Sequence, residues 1–186
     1  EAAYVDPGSG ATYPLSVPRW RSDHGNPLML TLLRGIEVAQ VDQRERSLWR
    51  YRATLPFAVR DPVSLGEGCT PLVQRCWQGL SAFFKLEWFS PTGSFKDRGA
   101  SVMISMLREQ GIAHILEDSS GNGGAAIAGY AAAAGVKAKI LAPTSTQPGK
   151  TVQMLAYGAE LELVTGTRQE TAEEAAAVAE AQDDIR

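Results

Sequence analysis

The sequence predicts an α/β protein with a parallel sheet and flanking helices, and two observations carry this prediction. From about residue 94 onward, helical and strand patterns alternate as helix, strand, helix, strand, helix, strand, helix. Such alternation lays parallel strands side by side, with the connecting helices packed on the faces of the sheet. In addition, Gly111, Gly135 and Gly158 follow the last residues of helical patterns, where a left-handed residue commonly ends a helix.

The individual elements follow from local composition. Residues 1–30 are rich in Pro, Gly, Ser and Asp, which predicts irregular structure or short edge strands, and residues 45–52 suit one short helix around Trp49. The segment 55–65 is predicted to be a loop. The later predictions are a strand at 82–88, a helix from 94, a strand at 113–116, a helix at 125–134, a strand at 137–142, a helix from Pro148, a strand at 161–164 and a helix at 169–182.

Composition and charge narrow the class of protein. The chain has 186 residues and a net charge of −3, with no basic cluster of the kind that binds nucleic acid. The most apolar run, 125–136, is too short for a membrane span, which needs about 20 residues. We therefore expect neither a membrane nor a nucleic-acid partner. The N-terminus lacks the pattern of a secretory leader, which favours a cytoplasmic protein.

The cysteines and histidines do not suggest a metal site. Cys69 and Cys76 are the only cysteines, and the two histidines, His24 and His114, lie far from them in the sequence. A disulfide between the two cysteines is conceivable, but two reduced thiols in the cytoplasm are the simpler expectation. We predict no bound metal.

The first segment that suggests chemistry is 91–98, Pro-Thr-Gly-Ser-Phe-Lys-Asp-Arg. Ser94 and Asp97 fit a Ser-x-x-Asp capping pattern, so Lys96 is expected in the first turn of a helix. The positive helix N-terminus disfavours an ammonium ion there and favours the neutral amine that Schiff-base chemistry needs. The alternative is an ordinary surface lysine in a first helical turn.

The second segment is 117–124, Glu-Asp-Ser-Ser-Gly-Asn-Gly-Gly, between the end of a strand and the start of a helix. Backbone N–H groups at such a point attract anions, so a carboxylate or phosphate is a natural ligand. A simple connecting turn is the alternative. The spacing of Gly121, Gly123 and Ala126 also matches a dinucleotide fingerprint, but the next strand ends without the acidic residue that would bind the ribose. Nicotinamide binding is therefore disfavoured.

Together with a third segment, 66–72 (Gly-Glu-Gly-Cys-Thr-Pro-Leu), these motifs resemble the threonine synthase family of fold type II pyridoxal-phosphate enzymes. The resemblance covers about residues 49–182. It implies the architecture of the tryptophan synthase β chain, with a parallel sheet and flanking helices. Its large cofactor domain would begin at 66–98 and its smaller α/β domain would occupy 99–186, after an N-terminal extension at 1–65. The remainder of the large domain is expected beyond this sequence.

The resemblance also implies a cofactor and roles for individual residues. Lys96 resembles the lysine that holds pyridoxal 5′-phosphate as a Schiff base and then shuttles protons. Asn122 resembles the asparagine that hydrogen-bonds the 3′-oxygen of the cofactor. The implied reaction is a carbon–oxygen lyase step of threonine biosynthesis, in which O-phosphohomoserine and water give threonine and phosphate.

A further set of residues is expected to bind the substrate. The loop before the second motif's helix resembles the loop that binds the substrate carboxylate, and two residues near the lysine in sequence are expected to line the pocket. The substrate-binding residues are therefore Ser119, Ser120, Gly121, Gly123, Thr92 and Ser94. A homodimer is also implied by the resemblance.

Two departures from the family pattern affect the expectations. Long family members often carry a cysteine-rich zinc ribbon before the motif found here at 66–72, whereas the stretch 18–25 has no cysteine. The family's cofactor-phosphate loop and its partner for the pyridine nitrogen lie further downstream than Arg186, so we expect this chain alone to be inactive. The alternatives are a Thr/Ser dehydratase or another lyase or β-replacement enzyme, and a non-catalytic relative that binds an amino acid or a partner.

Overall fold

The N-terminal region forms a small antiparallel sheet. The computed structural model describes residues 2–182 and residue 185. Three short strands, β1 (Ala3–Val5), β2 (Thr12–Pro14) and β3 (Met29–Leu30), pair in the order β2-β1-β3. This confirms the prediction of short strands within residues 1–30.

Two short 3-10 helices follow, and the second carries a buried tryptophan. Val38–Gln40 is a single turn, and Leu48–Thr54 begins where the Ser47 side chain accepts a hydrogen bond from the N–H of Trp49 at 3.1 Å. The indole Nε1 of Trp49 donates to the Ser101 hydroxyl at 2.9 Å. The predicted short helix around Trp49 is therefore present, shifted by a few residues and wound more tightly than an α-helix.

A β-hairpin occupies the region before the lysine motif. Strand β4 (Leu72–Trp77) pairs antiparallel with β5 (Leu80–Lys85), and both turn residues, Gln78 and Gly79, have positive φ angles of 49° and 79°. A two-residue turn of this geometry matches the right-handed twist of the strands. Sequence analysis did not predict β4. The strand that it predicted at 82–88 extends too far at its C-terminal end, because Glu87–Phe89 is a 3-10 helix.

The hairpin exposes large apolar side chains. Trp77 is 62% exposed and Phe83 is 65% exposed, and the Trp77 and Phe84 rings meet edge-on with centroids 6.4 Å apart. The hairpin forms a two-stranded sheet of its own.

The α/β region follows the predicted alternation. The helices are α1 (Lys96–Glu109), α2 (Asn122–Ala134), α3 (Pro148–Ala156) and α4 (Arg168–Ala181). The strands β6 (His114–Asp118), β7 (Lys137–Pro143) and β8 (Glu160–Val164) form a parallel sheet in the order β6-β7-β8. The fold therefore has the α/β content and parallel sheet that the sequence predicts.

The helices pack on both faces of this sheet. Successive side chains of a strand point to opposite faces, and in β6 Glu117 lies against α2 whereas Asp118 forms an ion pair with Arg168 of α4. Helices α2 and α4 consequently lie on opposite faces of the sheet. Helix α1 packs against α2, which places both motif helices side by side on one face.

Alanines and glycines let α2 sit close to its neighbours in the core. The fully buried core residues include Ile104, Tyr130, Ile140 and Met154. A Cβ atom at Gly124 would lie 2.7 Å from the Met154 Cε atom of α3 and 3.2 Å from Ile140 Cγ2 of β7, so a side chain there would require both neighbours to shift. None of the helices in the described part of the chain is long and apolar enough to cross a bilayer.

Candidate active site

Lys96 is the first residue of α1, and its loop is fastened by the residue that follows it. The Asp97 carboxylate accepts hydrogen bonds from the N–H of Thr92, at 2.7 Å, and from the Thr92 hydroxyl. The predicted Ser94-x-x-Asp97 cap is therefore wrong, because Phe95 is the N-cap residue and Asp97 folds back onto the loop instead. Burial raises the pKa of Asp97, against the hydrogen bonds from Thr92 that lower it.

The Lys96 amine itself is open to solvent. Its side chain is exposed, and Nζ donates no hydrogen bond to any described residue; it lies 5.5 Å from the centroid of the Phe95 ring. Ser94 is buried beside it, and its hydroxyl accepts a hydrogen bond from the Lys96 N–H at 3.3 Å. The loop thus holds the lysine backbone in place and leaves the amine available for reaction.

The second motif begins α2 and presents backbone N–H groups at its open end. Ser119 Oγ accepts a hydrogen bond from the N–H of Gly124 at 2.8 Å, and the N–H of Ala125 donates to the Gly121 carbonyl at 3.1 Å. The N–H groups of Asn122 and Gly123 lie in the first turn, where a helix offers them no acceptor. The side chain of Asn122 is exposed at the same end.

The remaining predicted substrate residues lie in two different settings. Ser120 and Gly121 are half-buried in the loop before α2, next to the open helix end. Thr92 is buried, with its hydroxyl donated to Asp97. In this structure Thr92 therefore packs and orients the lysine loop, and Ser120 and Gly121 lie nearer the position that an anion would occupy.

The lysine loop rests directly on α2 and α3. A Cβ atom at Gly129 of α2 would lie 3.1 Å from Thr92 Cγ2, and the Gln153 side-chain amide of α3 donates to the Thr92 carbonyl at 2.9 Å. These contacts place the lysine loop against α2 about two turns after Asn122. The lysine loop and the helix of the second motif are therefore packed together.

Glu117 is a charged residue beside the start of α2 that sequence analysis did not single out. Its Oε1 atom lies 3.5 Å from where a Cβ would stand at Gly123, at the start of α2. Burial raises the pKa of the Glu117 carboxyl, as does the charge of Asp118, whereas the charges of Arg168 and Lys96 lower it. A partly desolvated carboxyl within the electrostatic reach of Lys96 is typical of a functional site.

The third motif also contacts α1. Arg98 donates to both Glu87 carboxylate oxygens at 2.9 Å, and the Thr70 hydroxyl donates to Glu87 Oε1 at 2.6 Å. The Arg98 guanidinium lowers the pKa of Glu87 to about 2, assisted by Thr70 and opposed by burial. Thr70 of the third motif and Arg98 of the lysine motif are thus joined through one carboxylate.

We expect this ion pair to make stability depend on pH at the acidic end. The folded-state pKa of Glu87 is depressed, so its contribution is complete above the ordinary pKa of 4.5 and is lost as pH falls towards about 2. Because the side chains are 24% and 35% exposed, solvent screening reduces the contribution to about 1 kcal/mol. Urea unfolding of Glu87→Gln and the unsubstituted protein should differ by this amount near neutral pH and converge in acid. An equal difference at both pH values would contradict the assignment.

Sequence comparison places the chain among enzymes that use pyridoxal phosphate. Residues 63–185 match the model of the family described as pyridoxal-phosphate dependent enzymes. The chain is 40% identical over 124 residues to a threonine synthase from Synechocystis, and the matched segment makes up 62% of this chain and 32% of that relative. A threonine synthase from Halalkalibacterium halodurans is 38% identical over 132 residues, covering 64% of this chain and 37% of the relative. The chain thus spans about a third of the length of these curated relatives.

Structural comparison gives the same fold. A hydrogen sulfide-producing enzyme from Fusobacterium nucleatum superposes with a TM-score of 0.59 at 30% identity, covering 64% of this chain and 42% of that one. Cysteine synthase from Entamoeba histolytica superposes with a TM-score of 0.58 at 28% identity, covering 64% of this chain and 40% of that one. Fold and sequence together define the class as a fold type II enzyme.

The chain belongs to the family of pyridoxal-phosphate dependent enzymes. The resemblance to threonine synthases is confirmed by the curated relatives, and pyridoxal phosphate is the cofactor of the family. The donor set fits this cofactor, since an exposed amine begins α1, and an exposed amide side chain with helix N–H groups that lack an intrahelical acceptor begins α2. Within residues 2–182 and 185, no group of three His, Cys, Asp or Glu side chains could hold a metal ion.

Proposed function

We propose that the full protein converts O-phosphohomoserine and water into threonine and phosphate, with Lys96 as its reactive amine. The observation that carries this proposal is the exposed Lys96 amine, which donates to no described residue although its loop is tightly fastened. The curated relatives named threonine synthase support the choice of reaction.

Lys96, Asn122 and the loop from Ser119 to Gly123 would have different roles in this reaction. Lys96 would hold the cofactor as a Schiff base and then move the proton at the substrate Cα. Asn122 would orient the cofactor by a hydrogen bond to its 3′-oxygen, and the loop from Ser119 to Gly123 would bind the substrate carboxylate. When bound, the cofactor supplies an electron sink for the charge that develops at Cα. Removal of a proton from Cβ would expel the phosphate from Cγ, and a proton added at Cγ together with water added at Cβ would complete the reaction.

Two other activities are consistent with the same site. The solved neighbours include cysteine synthase, which favours a β-replacement reaction as the second candidate. A Thr/Ser dehydratase would use the same lysine and loop. Phosphate release from O-phosphohomoserine supports the first proposal, whereas 2-oxobutyrate release from threonine identifies a dehydratase. Absence of turnover with each substrate would leave a non-catalytic relative that binds an amino acid.

The proposal also covers the oligomeric state, the cellular location and the domain organisation of the protein. A homodimer and a cytoplasmic location are expected, and the free, exposed thiols of Cys69 and Cys76 fit a reducing compartment. We propose that 66–98 begins the large cofactor domain and that 99–186 forms the smaller domain. Because the chain spans about a third of its relatives, we expect residues 1–186 alone to show no turnover.

Lys96→Ala tests the role of the amine directly. We expect the substitution in the full-length gene product to lower kcat by about 10³-fold or more, since the proton transfer loses its base. Borohydride reduction in the presence of pyridoxal phosphate should label Lys96 in the unsubstituted protein, as read by peptide mass spectrometry. Lys137→Ala is the control, because this exposed lysine begins β7 and should leave activity intact. Labelling that spares Lys96 would refute the assignment.

A further inference from the structure

Glu67 is a fully buried carboxylate in the third motif, 66–72. Its side chain is 0% exposed, and its oxygens accept hydrogen bonds from neutral donors. These donors are the Ser64 hydroxyl at 3.1 Å, the Leu65 N–H at 3.0 Å, the Ser101 hydroxyl at 2.8 Å and the Tyr130 hydroxyl at 2.7 Å. Within residues 2–182 and 185, no cation forms an ion pair with Glu67.

Two of these donors come from the two helices that begin with the site residues. Ser101 lies on α1, between one and two turns after Lys96, and Tyr130 lies on α2, about two turns after Asn122. One carboxylate group therefore bridges the helix of the lysine and the helix of the asparagine. The bridge lies roughly 8 Å along α1 from Lys96 and roughly 12 Å along α2 from Asn122, so it couples the positions of these two residues through their helices.

The bridge is directional and rigid. Ser101 is itself held on three sides, since its one hydroxyl proton is shared between Glu67 and the Val63 carbonyl, 2.7 Å away, and its oxygen accepts the Trp49 indole N–H at 2.9 Å. Burial and then the hydrogen bond to Glu67 raise the pKa of Tyr130 far above its ordinary value, so its hydroxyl stays a donor. Hydrogen bonds to a charged acceptor are short and depend strongly on geometry.

Burying a carboxylate without a cation is unfavourable for stability in its own right. An apolar side chain of similar volume would fill the same space and keep the helices packed, but it would not define their relative positions through hydrogen bonds. The arrangement is therefore better explained by a requirement for position than by one for stability.

We propose that Glu67 is a positioning residue that holds the helix of Lys96 in register with the helix of Asn122. This inference deepens the proposed function, because it rests on Lys96 as the amine that binds the cofactor. Neither the reaction chosen nor the identity of the substrate affects it. Glu67 acts through Ser101 and Tyr130 and does not contact the reacting atoms.

The test uses the full-length gene product and two substitutions that preserve shape. Tyr130→Phe removes one donor to Glu67, and Glu67→Gln keeps the volume but replaces the charged acceptor. The matched control is Ser105→Ala, which removes another buried hydroxyl of α1. Ser105 donates to the Ser101 carbonyl at 2.6 Å and accepts the Val63 N–H at 2.8 Å, without contacting Glu67.

The first readout is the rate at which added pyridoxal phosphate forms a borohydride-trapped adduct at Lys96 in the cofactor-free protein. We expect this rate to fall about tenfold in Tyr130→Phe and about 100-fold in Glu67→Gln, because a displacement of about 1 Å has effects of this size. The second readout is the split between kcat and KM, where kcat should fall in parallel and KM should change less than about twofold. Ser105→Ala should lose as much thermal stability as Tyr130→Phe but keep both the trapping rate at Lys96 and kcat.

The outcomes separate this inference from the proposed function. If Tyr130→Phe and Glu67→Gln trap Lys96 at the unsubstituted rate, Glu67 has no positioning role. If Ser105→Ala slows trapping as much as they do, the effect is general destabilisation and the inference is wrong. If the unsubstituted protein yields no Lys96 adduct, the assignment of the lysine fails first. A normal adduct with no phosphate release from O-phosphohomoserine rejects the reaction and leaves the positioning role in place.

Discussion

Tyr130→Ala is expected to lower the free energy of unfolding by about 4 kcal/mol, the effect of deleting a buried aromatic ring. Tyr130 is fully buried in the core where α1 packs against α2. Its loss leaves a cavity that backbone movement fills only partly, and it leaves Glu67 without one of its donors. Since folded domains are stable by only about 5–15 kcal/mol, a large share of the margin disappears. Urea unfolding followed by circular dichroism measures the change.

Tyr51→Ala provides the control for this substitution. The Tyr51 side chain is 42% exposed on the 3-10 helix, so its removal should change stability by no more than about 0.5 kcal/mol. A loss in Tyr130→Ala no greater than that in Tyr51→Ala would show that the contact between α1 and α2 is looser than the structure indicates.

Gly68→Ala is the second substitution with a large expected effect, about 3 kcal/mol, because two costs act together. Gly68 has a φ angle of +105°, which is strained for any residue with a side chain. A Cβ atom there would also lie 2.7 Å from the Leu48 backbone nitrogen. That nitrogen donates to the Glu67 carbonyl at 2.7 Å, so the backbone cannot retreat without losing a hydrogen bond.

Gly66→Ala separates the two costs. Gly66 has a similar φ angle of +92°, but nothing lies within 4 Å of its Cβ position. This substitution should therefore cost only the backbone strain, about 1 kcal/mol. Equal losses in both variants, measured by urea unfolding, would mean that the close approach to Leu48 contributes nothing.

Local signals were sufficient for most of the α/β region. Gly111, Gly135 and Gly158 all have positive φ angles at helix ends, as predicted, because a left-handed residue there depends on the residue type alone. Pro148 begins α3 for a similarly local reason. Alternating elements then imply that β6, β7 and β8 pair in parallel, whereas their order in the sheet was not predicted.

The features that sequence analysis missed depend on tertiary contacts. Strand β4 escaped notice because its turn is Gln78-Gly79, which lacks the Asn or Asp that usually marks such a turn. The carboxylate of Asp97 could have capped its own helix, and only the folded loop shows that Thr92 competes successfully for it. Two of the partners of Glu67, Ser101 and Tyr130, lie 34 and 63 positions away, which no local pattern can show.

The hairpin of β4 and β5 has a consequence for how the chain behaves at high concentration. Among the residues that the structure describes, its strands pair only with each other, so each has an outer row of backbone N–H and C=O groups beside exposed aromatic rings. Unpaired strand edges next to apolar surface are templates for intermolecular pairing. Where nothing covers this surface, we expect molecules to aggregate through the hairpin. The parallel sheet has helices on both faces and should stay folded in such aggregates.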